Sequence, residues 1–484
     1  MDTSITSLPS VQSLPGKSYP IRILQFGTGN FLRGFADWMI QRANDALGLN
    51  MGVCLIQSVS HDNTLLQQQG TYTVILRGIE QGVFQSKAER ISVVQKIIDG
   101  NNREALLNEA LNPDLEIILS NTTEAGIVFN DTDRSVDLPA ASFPGKLTQL
   151  LHHRFNHYPD KPIGIIPCEL IERNGDRLKQ CVLQFAQHWH LADAFVQYLE
   201  ANVHFCQTLV DRIIPGYPKN PETFWKELGY IDHALVVGEP YHLWAIEASP
   251  WVKEKFPLHQ AGLNVIYTED LEPYRVRKVR ILNGIHTAMA AVGLLAGIKT
   301  VRDAVKHQLV GAFIRQTLDQ EILPGMPGDQ QMLKSYEAEV IERFLNPTID
   351  HQLATITLNS LSKFKVRLVP SIKAHVAKHH HVPENIALAL AALLVIYGGK
   401  ETGSPIDVND DPAAVTAIRS AWRTCLASGK DYHKLAADLL QHTSWWGESL
   451  NDIPGLTWRV SHYLESIFNN GMLQTLEDVQ PNKR

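Results

Sequence analysis

Apolar and polar positions follow two different patterns, which divide the chain near residues 270–275. In the first part, short apolar runs typical of buried strands alternate with segments whose apolar positions recur at helical spacing. The runs predict strands at 21–26, 53–57, 72–76, 115–119, 162–167, 203–210 and 234–237. The intervening periodicity predicts helices at 31–47, 103–111, 145–155 and 175–190. This alternation is typical of a parallel sheet covered by helices.

Helical periodicity dominates the rest of the chain. It predicts helices at 276–295, 301–318, 350–361, 383–397, 412–427, 432–440 and 454–470. We therefore predict an α/β domain over residues 1–272 and a mostly α-helical domain over residues 273–484. A length of 484 residues agrees with two domains, because one hydrophobic core rarely grows so large.

Composition indicates which kinds of partner and which cellular compartment to expect. The 44 Lys and Arg against 51 Asp and Glu give a net charge of −7, which argues against a broad nucleic-acid surface. The longest apolar stretch, 386–397, is too short to cross a membrane, and the first 20 residues lack the features of a signal peptide. Five sparse cysteines without a CxxC pair predict reduced thiols and a cytoplasmic protein. We expect a small-molecule substrate, and no nucleic-acid or membrane partner.

A glycine-rich turn follows the first predicted strand and precedes the first predicted helix. Such a turn lets the backbone approach a pyrophosphate, which the helix N-terminus then binds. The candidate cofactor-binding residues are Gly27, Thr28, Gly29, Asn30 and Phe31. The third glycine of the dinucleotide fingerprint is replaced by Leu32, so a simple tight turn is the alternative. No acidic residue ends the second strand, since Asp62 comes late, and the absence of Arg or Lys there argues mildly against a 2′-phosphate.

Two further motifs follow later strands. Thr122 and Glu124 lie after the strand at 115–119, where an open α/β sheet binds ligands. They can contact the nicotinamide ribose, or they can cap a helix. Asn174 lies after the strand at 162–167 and is either a donor to the substrate or a helix cap.

The most informative motif contains Lys278, Asn283 and His286. Asn283 and His286 are three residues apart, so a helix places them on one face. Lys278 and Asn283 differ by about 140° on an α-helix, so local unwinding or the geometry of a cleft would be needed to bring Lys278 alongside. An amide and an imidazole can donate to a developing oxyanion while an ammonium supplies the proton. The alternative is a basic surface helix with one buried histidine.

Two cations, Lys363 and Arg367, are spaced to share a helix face. They can bind a carboxylate, or they can form a solvated face. No Cys or His spacing suits zinc, so we expect no metal site.

In this order, the motifs resemble those of the mannitol dehydrogenase family of polyol-specific long-chain dehydrogenases. The spacing Lys278-x4-Asn283-x2-His286 resembles the catalytic signature of that family, and GTGNFLRGF resembles its cofactor turn. Similar segments span about residues 21–470. Many relatives have Cys-Asp-Asn where this chain has Cys168-Glu169-Leu170.

The resemblance implies a Rossmann-type N-terminal domain, a helical C-terminal domain and NAD as the cofactor. It also implies reduction of a keto-uronate at its ketone without a metal. Lys278 would be the general acid and base, while Asn283 and His286 would orient the carbonyl and Asn174 would be a second carbonyl-binding asparagine. A neutral polyol substrate and a non-catalytic NAD(H)-binding protein remain alternatives, and the oligomeric state is open.

Overall fold

The computed structural model describes residues 7–58, 63–123 and 125–479. The chain forms two compact units, which adjoin in sequence between Leu271 and Glu272. Each unit is described by itself below.

The N-terminal unit contains twelve described strands in three sheets. They are β1 (Ile21–Phe26), β2 (Gly52–Gln57), β3 (Tyr72–Glu80), β4 (Val83–Ile91), β5 (Val94–Asp99), β6 (Ile117–Ser120), β7 (Ile163–Pro167), β8 (Val203–Phe205), β9 (Gln207–Asp211), β10 (Val236–Gly238), β11 (Leu243–Glu247) and β12 (Val265–Thr268).

The largest sheet has six parallel strands in the order β5-β2-β1-β6-β7-β8. Counted along the chain within this sheet, the order is 3-2-1-4-5-6, which is that of the Rossmann-type dinucleotide-binding fold. The strand order reverses between β1 and β6, where Phe26 pairs with Ser120. In open α/β sheets, ligands bind at such a switch point, beyond the carboxyl ends of the strands. The other two sheets have the orders β10-β3-β4 and β12-β11-β9.

Helices lie against this framework. The α-helices of the unit are α1 (Asn30–Leu32), α2 (Trp38–Leu47), α3 (Thr64–Gln67), α4 (Arg103–Ala110), α5 (Phe143–His157), α6 (Asn174–His188), α7 (Asp193–Ala201), α8 (Pro221–Leu228) and α9 (Pro250–Lys255). A π-helical segment, Arg33–Asp37, joins α1 to α2. Neighbouring strand residues enter separate cores: Ile23 belongs to one cluster and Leu24 to the other. The sheet therefore has two buried faces, as parallel sheets require.

The C-terminal unit is mostly helical in its described part, with one isolated β-bridge between Thr300 and Gln352. Its α-helices are α10 (Glu272–Arg277), α11 (Gly284–Leu295), α12 (Val301–Lys306), α13 (Gln308–Gln316), α14 (Gln330–Phe344), α15 (Leu353–Ile356), α16 (Ser360–Arg367), α17 (Val369–His379), α18 (Glu384–Gly398), α19 (Pro412–Ala427), α20 (Tyr432–Leu440), α21 (Thr443–Trp446), α22 (Leu456–Asn470) and α23 (Met472–Val479). Two π-helical segments, Lys278–Asn283 and Thr317–Ile322, interrupt this series. The α/β fold with a helical second domain is thus confirmed.

The stretch Glu384–Thr402 is long and apolar enough to cross a membrane by composition alone. However, 83% of its most apolar window is buried inside the protein. Such burial is typical of the core helix of a globular domain.

Three predicted elements are each divided in the structure by residues outside helix or strand. The strand at 203–210 is two strands, because Cys206 separates β8 from β9. The helix at 301–318 is broken at His307, whose extended backbone ends α12. The helix at 350–361 is instead the short α15 followed by α16, because Asn359 takes a left-handed conformation with φ of 51°.

Candidate active site

The glycine-rich turn lies at the switch point of the six-stranded sheet. Gly27 has φ of 121°, and a Cβ there would lie 2.8 Å from the backbone oxygen of Asn121. A side chain at this position would therefore strain the turn and collide with the loop after β6. A Cβ on Gly29 would meet no protein atom within 4 Å. The backbone at Gly29 is thus open to a ligand.

A cavity of about 1120 Å³ adjoins this turn. It is lined by the carboxyl ends of β1, β2 and β6 and by the start of α5. The predicted residues on its wall are Gly27, Thr28, Gly29, Asn30 and Thr122. Phe31 instead stacks on Phe35, with ring centroids 4.9 Å apart. Glu124 lies outside the described residues.

Arg33 holds the turn in shape. Its guanidinium donates to the Thr28 oxygen at 3.1 Å, to Asn30 Oδ1 at 2.6 Å and to the Ala234 oxygen at 2.6 Å. Sequence reasoning missed this role, although Arg33 belongs to the quoted glycine-rich motif.

A buried carboxylate, Glu169, fixes the loop after β6. It accepts hydrogen bonds from Ser120 Oγ at 3.0 Å, from the Thr122 backbone N–H at 2.9 Å and from Thr122 Oγ1 at 3.1 Å. Burial raises the pKa of Glu169, while these donors lower it. The hydroxyl of Thr122 is therefore engaged by Glu169 within the wall of the cavity. The departure at Cys168-Glu169-Leu170 was the available signal for Glu169.

Asn174 is almost completely buried at the start of α6. Its Nδ2 donates to the backbone oxygens of Pro167 and Glu169, both at 3.1 Å, and its Oδ1 accepts from the Thr208 N–H at 3.0 Å. These bonds use the amide to join β7, α6 and β9. Asn174 is the first residue of α6 and Arg173 takes the cap position, so the amide of Asn174 bonds to backbone in a structural role other than the helix cap that the sequence analysis gave as the alternative.

A second buried carboxylate, Asp37, lies below the turn. Tyr72 donates its hydroxyl proton to Asp37 at 2.9 Å, and Gln25 Nε2 lies between Asp37 Oδ2 and the Gly27 oxygen at 3.5 and 3.2 Å. Burial raises the pKa of Asp37 to about 7, against the lowering effect of Tyr72 and Gln25. The glycine-rich turn is thus coupled to a carboxyl group that titrates near neutral pH.

In the C-terminal unit, Lys278 and Asn283 begin and end one π-helical segment. A π-helix pairs residues i and i+5, so a turn takes more residues than in an α-helix. Residues five apart consequently come closer to one face than the 140° of an α-helix allows. His286 follows one turn later in α11. The structure therefore contains a local unwinding of the helix at this motif, which is one of the two geometries that the sequence analysis left open.

Aromatic rings surround the buried His286. Its ring centroid lies 4.4 Å from that of Phe344 and 5.0 Å from that of His351. Burial lowers the pKa of His351, which favours a neutral ring beside His286. Arg280, within the same motif, donates to Ser371 Oγ at 3.0 Å and fastens the segment to α17.

Arg367 contacts the same helix at the end of the π-helical segment. Its Nη1 lies 3.1 Å from Thr287 Oγ1 and 3.5 Å from the Asn283 oxygen, and Thr287 donates to that oxygen at 3.0 Å. Burial lowers the pKa of Arg367, and within the described ranges no acidic side chain pairs with it. Lys363 Nζ donates instead to the Ile356 oxygen at 3.0 Å. The structure thus brings Arg367, but not the Lys363 ammonium, to the Asn283 end of the motif.

No group of three or more His, Cys, Asp or Glu side chains in the described part of the chain is arranged to hold a metal ion.

Two family descriptions match this chain along its length. Residues 21–260 match the mannitol dehydrogenase Rossmann domain, and residues 270–468 match the mannitol dehydrogenase C-terminal domain. The altronate oxidoreductase of Bacillus subtilis is 42% identical over 466 residues, which are 95% of each chain. That of Phocaeicola vulgatus is 38% identical over 95% of this chain and 97% of its own.

Solved structures agree on the fold. Pseudomonas fluorescens mannitol 2-dehydrogenase, in a ternary complex with NAD and D-mannitol, has a TM-score of 0.72 at 21% identity and covers 99% of this chain and 98% of its own. A substrate-free D-sorbitol dehydrogenase has a TM-score of 0.79 at 20% identity, with 96% and 99% covered. The two domain matches, which together cover most of the chain, and the full-length relatives show that this chain belongs to the mannitol dehydrogenase family.

Proposed function

We propose that this oxidoreductase uses NADH to reduce D-tagaturonate to D-altronate, and that the reaction is reversible. The observation that carries this proposal is Arg367, a half-buried guanidinium without an acidic partner among the described residues, at the Asn283 end of the motif. A substrate carboxylate is the partner that such a group favours. The full-length relatives named altronate oxidoreductase support a sugar acid over a neutral polyol.

The glycine-rich turn fits a dinucleotide. Gly27 allows the close approach of the loop after β6, and Gly29 leaves its backbone bare. The first helical N–H groups, from Asn30 onward, follow directly and can donate to a pyrophosphate. Thr28 and Thr122 lie on the same cavity wall, and we propose Phe31 and Glu124 as neighbouring contacts. When bound, the nicotinamide supplies the hydride for reduction and accepts it for oxidation.

The helix in the C-terminal unit supplies the proton chemistry. Lys278 Nζ gives a proton to the ketone oxygen as it becomes an alkoxide, and takes it back in the oxidation. The Asn283 amide and the His286 imidazole donate hydrogen bonds to the same oxygen and so stabilise its developing charge. The rings of Phe344 and His351 keep His286 in a fixed orientation.

The remaining assignments concern the substrate and its surroundings. Arg367 binds the carboxylate, Lys363 is the second candidate cation, and Asn174 is the weakest candidate, because its amide is engaged by backbone. Residues 1–272 form the cofactor domain and residues 273–484 the substrate domain. The five buried free cysteines agree with a reducing cytoplasm.

A substrate panel tests the proposal. Purified protein is mixed with NADH and D-tagaturonate, D-fructuronate or D-fructose, and absorbance of the reduced nicotinamide is followed, with NADPH and exhaustive chelation as further arms. We expect oxidation confined to tagaturonate with NADH, and full activity after chelation. Turnover only with fructuronate or fructose would contradict the assignment of tagaturonate and make that compound the substrate instead. NADH binding without turnover on any substrate would favour a non-catalytic protein.

A further inference from the structure

A buried lysine, Lys146, lies on the wall of the dinucleotide cavity and belongs to none of the motifs above. It sits in the first turn of α5 and is 2% exposed. Its Nζ donates to Asn101 Oδ1 at 2.9 Å, the one hydrogen bond that the described residues give it. An ammonium has three donors, and a buried charge is costly unless it is satisfied. Lys146 therefore has donors left for a ligand in the cavity.

Contacts of Asn101 tie Lys146 to the end of β2. Asn101 Nδ2 donates to the Ser58 oxygen at 3.2 Å, and the neighbouring Gly100 N–H donates to the Gln57 oxygen at 2.7 Å. A Cβ on Gly100 would lie 2.2 Å from Ser58 Oγ, so glycine permits this close approach. The end of β2 is where a dinucleotide-binding sheet holds the adenosine ribose, usually with an acidic side chain.

The sequence after β2 offers no acidic residue before Asp62. We propose that Lys146, held by Asn101, binds the ribose hydroxyls at the adenosine end of the dinucleotide. This assignment rests on the proposed use of NAD. An ammonium donates to a hydroxyl oxygen, where the usual carboxylate would accept from the hydroxyl proton.

Nearby acids favour a hydroxyl over a phosphate as the partner. Asp99 ends β5, and Asp133 holds the loop before α5 through the N–H groups of Ala141 and Ser142 at 2.7 and 3.0 Å. Both carboxylates act on Lys146 electrostatically. Their negative charge offsets the positive charge of the ammonium, so a 2′-phosphate would be only weakly attracted to this position.

Calorimetric titration of the full chain tests the assignment. Lys146→Met keeps the length of the side chain and removes its donors, and Lys161→Met is a matched control outside the cavity wall. The ligands are ADP-ribose, NADH, NADPH and reduced nicotinamide mononucleotide, which lacks the adenosine end. We expect Lys146→Met to raise the Kd for ADP-ribose and NADH about 10- to 100-fold. The mononucleotide should bind both variants as it binds the original protein, and NADPH should bind the original protein more weakly than NADH.

Several outcomes would overturn the assignment. One is unchanged ADP-ribose binding by Lys146→Met, and another is an equal loss for the mononucleotide. Binding of NADPH as tight as that of NADH would exclude a hydroxyl as the intended partner. If Lys146→Met does not fold, Asn101→Ala serves instead. It should weaken the binding of ADP-ribose but not the binding of the mononucleotide. Failure of the original protein to bind any dinucleotide would refute the proposed function itself. If Lys146→Met and Asn101→Ala both bind ADP-ribose as the original protein does, only the role of Lys146 is refuted.

Discussion

Lys278 and Asn283 are joined by one π-helical segment, which they begin and end. On an α-helix their side chains would point about 140° apart. The wider π-helical turn reduces this angle, and π-helical segments occur frequently at functional sites. The irregular backbone thus favours a shared role for the two residues on one carbonyl oxygen.

Replacement of Lys278 by Met should abolish most turnover while NADH binding persists. The variant keeps the aliphatic stem and loses the proton donor, so we expect kcat to fall by about 10²- to 10⁴-fold. Stopped-flow turnover and fluorescence titration with NADH measure the two quantities. The exposed Lys306→Met, in the same unit, should leave both unchanged. A kcat within a few-fold of the original in Lys278→Met would rule out the acid role.

Replacement of Arg367 by Met should act selectively on acidic substrates. Loss of a charged hydrogen bond to a carboxylate should raise KM for the keto acid by about 10- to 100-fold. KM for a neutral ketose should change little, which separates carboxylate binding from a general disturbance at Asn283. Lys363→Met is the companion variant. Equal losses on both substrates in Arg367→Met would show that Arg367 does not bind the carboxylate.

Removal of the Glu169 carboxylate should loosen the wall of the dinucleotide cavity. Glu169→Ala leaves the donors of Ser120 and Thr122 without their acceptor, at a cost of about 1–3 kcal/mol per buried donor. We expect a lower thermal midpoint and a higher Kd for NADH, with a smaller effect for Glu169→Gln. The exposed Glu172→Ala is the control. Unchanged NADH binding in a folded Glu169→Ala would show that fixing the loop after β6 is not needed for NADH binding.

Stability should depend on pH through Asp37. Its pKa rises from the ordinary 3.8 to about 7 on folding, so the folded protein holds the proton more tightly than the unfolded chain. Stability contributed by this group is therefore greatest below about pH 4 and declines as pH rises toward 7, by on the order of 4 kcal/mol.

Asp37→Asn should remove that decline and be more stable than the original protein above pH 7. Thermal midpoints between pH 4 and pH 8 measure the difference. The exposed Asp114→Asn should follow the original curve. Parallel curves for Asp37→Asn and the original protein would contradict the raised pKa.

The local pattern of apolar residues was sufficient to predict the bounds of elements whose side chains are buried on both faces. Strand β1 begins and ends where the sequence predicts, because nearly every residue from Ile23 to Phe26 enters a core. Strand β5 was missed: it is an edge strand whose Gln95 and Lys96 are only partly buried or exposed, so its apolar run is broken. Helix α14 was missed as well: its buried positions recur at helical spacing, but two of them, Glu337 and Arg343, are charged, so the apolar pattern is incomplete.

The sequence by itself determined the glycine turn and the order of the motifs, and it predicted the chemistry of Lys278, Asn283 and His286, because backbone freedom, periodicity and side-chain type are local properties. Tertiary structure decided which residues that are far apart along the chain come into contact. It paired Glu169 with Thr122 and buried the Asn174 amide against backbone. It also set Arg367 beside Asn283 and tied Lys146 through Asn101 to β2. These contacts depend on which strands and helices become neighbours, and that choice follows from burial of the whole core rather than from any one segment.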